Sequence, residues 1–127
     1  MVMQPSQSQP IVLVIFQCQT GETEALALRA AVGAVQSRAL IRLRRIPDFG
    51  LVVDTEPLLR MRKEYVPPTE KDILGADAII LVAAPGAPDM SWAPWVEFIG
   101  RHNKPFTWIT TADADALAVG RNIRSIQ

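Results

Sequence analysis

The chain lacks the features that would assign it to several specialised classes of protein. It has a single cysteine, so it forms no internal disulfide, which fits a reducing, cytoplasmic compartment. Its formal net charge is zero, which excludes the basic footprint of a nucleic-acid-binding protein. No apolar run approaches the roughly 20 residues of a membrane helix, so we expect no membrane insertion. The only histidine, His102, has no partners at metal-ligand spacing, so we expect no metal and a surface position for this residue at a helix end.

What remains is the composition of an ordinary globular domain. Hydrophobic residues make up 49% of the 127 residues and charged residues 20%, which allows a buried core. The length indicates one domain, which we place at residues 11–127. Residues 1–10 are polar and lack the basic n-region of a secretory signal, so we expect a disordered lead-in there.

Hydrophobic periodicity predicts strands and helices in alternation. Continuous apolar runs at 11–17 and 77–82 predict strands buried on both faces, and 106–110 predicts a third inner strand. Helices are expected over residues 23–36, 55–65, 69–75, 91–101 with Ser91 as cap, and from Asp113 through Val119 with Gly120 as the stop. Residues 122–126 are a candidate for a short final strand.

Two of these segments carry a more specific pattern. In the first helix, Leu28, Ala31, Val32 and Val35 fall at i, i+3, i+4 and i+7, which predicts an inward-facing apolar stripe. In the segment 39–46, apolar residues alternate with arginines, which predicts a half-exposed edge strand. These arginines either form a solvated face or recruit an anion such as a 2′-phosphate.

The alternation of strands and helices indicates a doubly wound α/β domain with a parallel sheet in the middle of three layers. Ligands of such sheets bind at the carboxyl ends of the strands. We therefore predict that the loops at residues 17–23, 84–90 and 110–113 converge on one cleft.

The loop after the first strand is a candidate phosphate site. It is short and polar, it holds Thr20, Gly21 and Thr23, and it opens a helix whose first N–H groups and dipole favour an anion. The alternative is that Thr20 or Thr23 only caps the helix. Cys18, next to the helix start, is either a redox-sensitive thiol or a small buried residue.

The residues of this loop resemble the flavodoxin-like family. Cys18 to Thr23 is similar to the Ser/Thr-x-Thr-Gly-Asn-Thr motif around the FMN phosphate, and 84–91 is similar to the flavin loop of the WrbA-type NAD(P)H:quinone oxidoreductases. Arg45-Ile46-Pro47 also resembles a segment of that branch. The resemblance covers about residues 11–112.

The resemblance implies a sheet in the order 2-1-3-4, with a short fifth strand as an option, and a homo-oligomer, either dimer or tetramer. It implies FMN as cofactor, NAD(P)H as electron donor, a quinone as acceptor and no catalytic side chain. The implied cofactor-binding residues are Cys18, Thr20, Gly21, Glu22, Thr23, Pro85, Gly86, Ala87, Met90 and Thr111.

Departures from the family pattern leave a second hypothesis open. Cys18 is a weak donor, Glu22 brings a carboxylate to the phosphate loop, and the flavin loop is one residue shorter. These changes favour a non-catalytic protein that has lost FMN and acts as a partner or assembly module. Trp92 either flanks the flavin ring or packs in the core or in an interface. The chain has neither GxGxxG nor GxxxxGK and lacks the aspartates of a response-regulator receiver.

Overall fold

Strands and helices alternate along the chain in the computed structural model, which describes residues 9–17, 22–47, 55–83, 92–109 and 116–121. The strands are β1 (Ile11–Gln17), β2 (Leu40–Arg45), β3 (Ala78–Ala83) and β4 (Phe106–Ile109). The helices are α1 (Glu22–Gln36), α2 (Glu56–Glu64), α3 (Glu70–Gly75), α4 (Ala93–Arg101) and α5 (Ala116–Arg121). The predicted lead-in and the candidate final strand lie largely or wholly outside these residues.

The described strands form one parallel sheet in the order β2-β1-β3-β4. This confirms the predicted order, including the central position of β1, which pairs with β2 on one side and β3 on the other. Residues 12–16 of β1 are fully buried, as the continuous apolar run predicts. Within the described residues β4 pairs only with β3, and Phe106 at its start is exposed, so here β4 is an edge strand and not the predicted inner one.

The two faces of the sheet are covered by different helices. Alternate residues of β1, such as Val14 and Ile15, point to opposite faces because side chains alternate along a strand. The face of Val14 packs against α1 and α5, together with Met61 of α2. The face of Ile15 packs against α3 and α4. The architecture is therefore the predicted three-layer α/β/α.

The inward face of α1 differs from the predicted stripe. Leu28, Val32 and Val35 are 42%, 50% and 53% exposed, and of the predicted stripe only Ala31 is buried. The buried positions are held instead by small residues, which are Ala27, Ala30, Ala31, Gly33 and Ala34. Helix α1 carries apolar residues around most of its circumference, so periodicity alone did not identify its inner face.

Helix α5 accounts for that choice of small residues. A Cβ atom at Gly33 would collide with the backbone carbonyl of Leu117, and one at Gly120 would collide with that of Ala30. The two helices therefore approach backbone to backbone, which larger side chains would prevent. Gly120 lies inside α5, so its prediction as the helix stop was wrong.

Side-chain caps mark the starts of the two helices in the middle of the chain. Thr55 caps α2, and Thr69 and Asp72 form a reciprocal capping box at the start of α3. Helix α4 follows Trp92, whose backbone is already helical and whose side chain makes no cap hydrogen bond; the predicted cap Ser91 lies outside the described residues. His102 is exposed at the end of α4, as predicted. None of the helices in the described segments has the length and apolarity that crossing a bilayer requires.

Candidate functional site

The strand ends that precede the three predicted site loops lie side by side. Gln17, the last residue of β1, pairs with Ala83, the last residue of β3, and Val82 pairs with Ile109 at the end of β4. The loops that follow start from one edge of the sheet, although the loops themselves lie outside the described residues. That part of the chain holds most of the predicted site, namely Cys18, Thr20, Gly21, Pro85, Gly86, Ala87, Met90 and Thr111. Their convergence on one cleft stays a prediction.

The two described residues of the predicted site lie in the first turn of α1. Glu22 is the first helical residue and is exposed, whereas Thr23 is buried. Only four residues, 18–21, separate the end of β1 from the start of α1. The first N–H groups of a helix have no partner within it, so this helix start presents donors next to the carboxyl end of the central strand.

Directly behind this helix start lies a buried carboxylate that the sequence reasoning missed. Glu24 is 6% exposed, and its two carboxylate oxygens accept hydrogen bonds from Arg60 at 2.6 and 3.0 Å. The Tyr65 hydroxyl donates a further hydrogen bond to Glu24 at 2.5 Å. Arg60 also pairs with Glu64 at 2.9 Å. The cluster thus joins the first turn of α1 to α2 and to the residue that ends it.

The charges of this cluster shift the ionisation of its members. The hydrogen bonds from Arg60 lower the pKa of Glu24 against the opposing effect of burial, and the nearby charge of Arg45 acts in the same direction as Arg60. Burial and the hydrogen bond to Glu24 raise the pKa of Tyr65. Glu24 is therefore a carboxylate at neutral pH. Its charge is compensated by Arg60, which it shares with Glu64, together with the nearby Arg45, so it adds little net negative charge at the helix start.

A second polar contact links the ends of two strands and a helix. The Trp92 indole N–H donates to the Gln17 side-chain oxygen at 3.1 Å, and the Gln17 amide donates to the Pro47 carbonyl at 3.3 Å. Trp92 is 1% exposed, and its ring centroid lies 5.2 Å from that of Trp108. Trp92 is thus a core residue that also orients Gln17, which decides between the two roles that the sequence left open for it.

The arginines of β2 divide between the two layers. Arg44 is partly buried and pairs with Asp72 of α3 at 3.0 Å, whereas Arg45 is buried on the side of Glu24. Arg42 is exposed. Of these three arginines, only Arg42 fits the prediction of a solvated face. Arg44 and Arg45 interact with groups inside the protein.

Neither cluster could have been found by a local motif. An acidic residue in the first turn of a helix was the only signal for Glu24, and such residues are common there. Its partners Arg60 and Tyr65 follow 36 and 41 residues later, in a segment with an irregular pattern. Gln17 and Trp92 are separated by 75 residues.

Sheet order, crossovers and layers together define a flavodoxin-like fold, and solved structures agree. A flavodoxin of Streptococcus pneumoniae TIGR4 superposes with a TM-score of 0.51 at 16% identity, over 87% of this chain and 76% of the flavodoxin. A short-chain flavodoxin associated with a non-canonical PDU bacterial microcompartment has a TM-score of 0.50 at 11% identity, over 90% of this chain and 75% of its own.

The third structure, the diflavin flavoprotein A3 of Nostoc sp., also has a TM-score of 0.50 at 11% identity, over 94% of this chain and 92% of its own. At these identities the likeness concerns the fold. No protein-family model matches the chain, and no curated protein does.

Proposed function

We propose that this protein binds FMN at the carboxyl ends of β1, β3 and β4 and takes part in electron transfer. The observation that carries the proposal is the short passage from central strand β1 into α1, which leaves the first N–H groups of the helix at the edge where flavodoxin-like sheets bind ligands. Three structures with this fold are described as flavodoxins or flavoproteins.

The residues around this helix start fit a phosphate group. Glu24 is compensated by Arg60, and Glu22 is exposed, so water can solvate its carboxylate while its backbone stays at the helix start. In the proposed site Cys18, Thr20, Gly21 and Thr23 hold the phosphate. The loop from Pro85 to Met90 and Thr111 lie beside the ring.

The finer proposal is a quinone reductase of the WrbA type, with NAD(P)H as donor and a cytoplasmic location. It rests on the resemblance of the loops and on the single cysteine. When bound, FMN supplies the hydride chemistry, so this chain is required to bind and orient and not to provide an acid or base. Oxidation of NADPH or NADH by the FMN-loaded protein, with a benzoquinone as acceptor, tests this step.

A flavin titration tests the primary proposal. The full chain is titrated with FMN and, in parallel, with riboflavin, which carries the same ring without the phosphate, and quenching of flavin fluorescence is measured. If the helix start holds the phosphate, FMN binds more tightly than riboflavin. Equal binding of the two would contradict the phosphate site, and no binding of either would favour the non-catalytic hypothesis.

A change at Glu22 sharpens this titration. A carboxylate a few ångströms from a phosphate at a partly exposed site costs on the order of 1 kcal/mol. We expect Glu22→Asn to tighten FMN binding roughly tenfold, at about 1.4 kcal/mol per factor of ten, and added Cys18→Ser to tighten it further. Glu56→Asn, the same change at the exposed first residue of α2, is the matched control and leaves the affinity unchanged. Weaker binding by Glu22→Asn would contradict the expected repulsion.

A further inference from the structure

The side chain of Gln17 lies where several connections of the sheet begin and end. Gln17 is the last residue of β1, and its backbone pairs with Ala83, the last residue of β3. Its side-chain oxygen accepts a hydrogen bond from the indole N–H of Trp92, which directly precedes α4. Ala83 and Trp92 flank residues 84–91 on either side, so both flanks of this connection are held at one residue.

The core around Trp92 fixes the position of this donor. Trp92 is 1% exposed and belongs to the same buried cluster as Ile15 and Ile99, between the sheet and α4. Its ring centroid lies 5.2 Å from that of Trp108. An indole N–H on a buried ring needs an acceptor, and the Gln17 oxygen supplies it at 3.1 Å. The hydrogen bond therefore constrains both residues, and neither can turn away without leaving a polar group unpaired.

The amide of Gln17 extends the link to the neighbouring strand. Strand β1 pairs with β2 up to Phe16 opposite Arg45, and the Ile46 N–H donates to the Phe16 carbonyl at 2.8 Å. One residue further along both segments, the Gln17 side-chain amide donates to the Pro47 carbonyl at 3.3 Å. The same side chain therefore joins the segment that follows β2 to the residue that precedes α4.

Two parts of the proposed FMN site are attached to Gln17 in different ways. Residues 18–21, on the phosphate side, follow it through the main chain of β1. Residues 84–91, on the ring side, are flanked by Trp92, which is held by the Gln17 side chain. Changing that side chain leaves the first attachment in place and removes the hold on Trp92. A binding segment that is ordered before the ligand arrives binds more tightly, because less conformational entropy is lost on binding.

We propose that Gln17 is a positioning residue of the FMN site, which acts through Trp92 on the segment beside the flavin ring. This role rests on the proposed function, and it needs no contact between the Gln17 side chain and the flavin. Gln17 then sets the affinity for the ring, which FMN and riboflavin share. The preference for FMN over riboflavin comes from the phosphate and is therefore independent of the Gln17 side chain.

Titration of the full chain with riboflavin and with FMN at one salt concentration tests the proposal. Gln17→Met keeps the length of the side chain and removes its amide. We expect both affinities to fall by about three- to tenfold, as for the loss of one hydrogen bond, with their ratio unchanged. Gln36→Met is the matched control: it removes an amide whose oxygen accepts a hydrogen bond from Arg121 at 2.6 Å, at the far end of α1, and leaves both affinities unchanged. A changed ratio in Gln17→Met would place the effect at the phosphate and contradict the proposal.

A double-mutant cycle tests the route through Trp92. Trp92→Phe removes the indole donor and keeps an aromatic ring, so it breaks the same hydrogen bond from the other side. We expect it to weaken the binding of riboflavin and FMN to a similar extent. The variant with both changes is expected to bind about as the weaker single variant does, because the two residues act through one contact. Losses that multiply in that variant would show that Gln17 and Trp92 act independently.

The visible circular dichroism of the bound flavin separates positioning from a loss of folded protein. Urea unfolding gives the folded fraction of each variant, and the affinities are corrected for it. At saturation with riboflavin, a merely destabilised variant gives the wild-type dichroism per bound flavin, so we expect a changed signal in Gln17→Met and not in Gln36→Met. A wild type that binds neither flavin would overturn the proposed function and this role with it. Wild-type affinities and dichroism in Gln17→Met would overturn this role alone.

Discussion

The two helical layers that cover the sheet are built from side chains of opposite size. The α1/α5 layer uses alanine and glycine at its contacts, which are Ala27, Ala30, Ala31, Gly33, Ala34 and Gly120. The space between the sheet and the α3/α4 layer is filled by large side chains, including Trp92, Phe98 and Ile99, and Trp108 of β4 packs against them. In the first layer helices meet through their backbones, and in the second layer side-chain volume fills the space. We therefore expect the protein to lose stability when atoms are added in the α1/α5 layer and when atoms are removed from the α3/α4 layer.

Within the described residues, each layer also contains one buried carboxylate. Glu24 of α1 is held by Arg60 and Tyr65, and Asp72 of α3 is held by Arg44 and Thr69. The pKa of Asp72 is lowered although burial acts to raise it, because the hydrogen bonds from Arg44 and Thr69 outweigh that effect. The two layers thus differ in packing, but in each of them an arginine and one further hydrogen-bond donor hold the buried carboxylate.

The largest effect is expected from removing one large side chain of the α3/α4 layer. Trp92→Ala removes a fully buried ring and the indole donor to Gln17, and we expect the free energy of unfolding to fall by about 3–5 kcal/mol. Urea denaturation measures this. Trp92→Phe keeps most of the ring and loses the donor, so it costs about 1–2 kcal/mol. A Trp92→Ala variant as stable as the Phe variant would contradict the role of ring volume in this layer.

Glycine-to-alanine changes should have opposite signs in the two layers. Gly33→Ala is expected to destabilise the protein by about 1–3 kcal/mol, because the added Cβ meets the α5 backbone. Gly100→Ala in α4 is the control, since nothing lies within 4 Å of its added Cβ. There the better helix propensity of alanine raises stability by about 0.5–1 kcal/mol. Thermal and urea unfolding of both variants measure the two changes in stability. If both substitutions changed stability in the same direction, α1 and α5 would be able to move apart freely.

The sequence predicted the fold well because its strand signals are strong and local. The continuous runs of β1 and β3 predicted strands buried on both faces, and the alternating arginines of β2 predicted an edge strand. The inner face of α1 was predicted wrongly because leucine and valine outweigh alanine in any hydrophobic pattern. The small residues are favoured by the close approach of α5, which lies more than 80 residues further along the chain.

The candidate site was predictable in position and not in its supporting contacts. A polar loop between a buried strand and a helix is a local pattern, and β1 does lead into α1 at the predicted place. Two supporting contacts depend on how elements that are distant in sequence pack together. They are the ion pair between Glu24 and Arg60 and the hydrogen bond from Trp92 to Gln17. Neither has a fixed spacing that a single sequence could reveal.

Neutralising Glu24, the buried carboxylate of the α1/α5 layer, is expected to have a moderate effect on stability, and this effect depends on pH. Glu24→Gln weakens the hydrogen bonds from Arg60 and Tyr65, so we expect a loss of about 1–3 kcal/mol at pH 7. Since the folded state lowers the pKa of Glu24, its stabilisation is present above about pH 4 and is lost as the pH falls through the folded-state value. Wild type and variant should therefore converge in acid.

Unfolding by urea at pH 7 and pH 3 measures this convergence. Glu97→Gln is the control, because Glu97 belongs to an exposed pair with Arg101, and its change costs less than about 0.5 kcal/mol. A Glu24→Gln variant whose deficit stays constant between the two pH values would show that the loss comes from packing and not from charge.

The smallest effect is expected at Thr69, the N-cap of α3, which also supports the buried carboxylate of Asp72. Thr69→Ala removes the hydroxyl that accepts from the Asp72 N–H at 3.2 Å, so we expect a loss of about 1 kcal/mol at pH 7. The hydroxyl also helps to lower the pKa of Asp72, so in the variant this pKa rises toward its ordinary value.

That second role separates Thr69 from an ordinary cap. A carboxylate with a lowered pKa stabilises the fold above about pH 4, its unfolded value, and the contribution disappears as the pH falls through the folded-state pKa. The deficit of Thr69→Ala should therefore shrink between pH 7 and pH 3. Thr55→Ala removes a cap whose hydroxyl accepts only a long bond of 3.4 Å from Leu58 N–H, and its deficit of about 0.5 kcal/mol should not change with pH. Parallel behaviour of the two variants in urea unfolding at both pH values would mean that the Thr69 hydroxyl acts on the helix end alone and that Arg44 and the backbone N–H of residue 69, which the variant keeps, set the ionisation of Asp72.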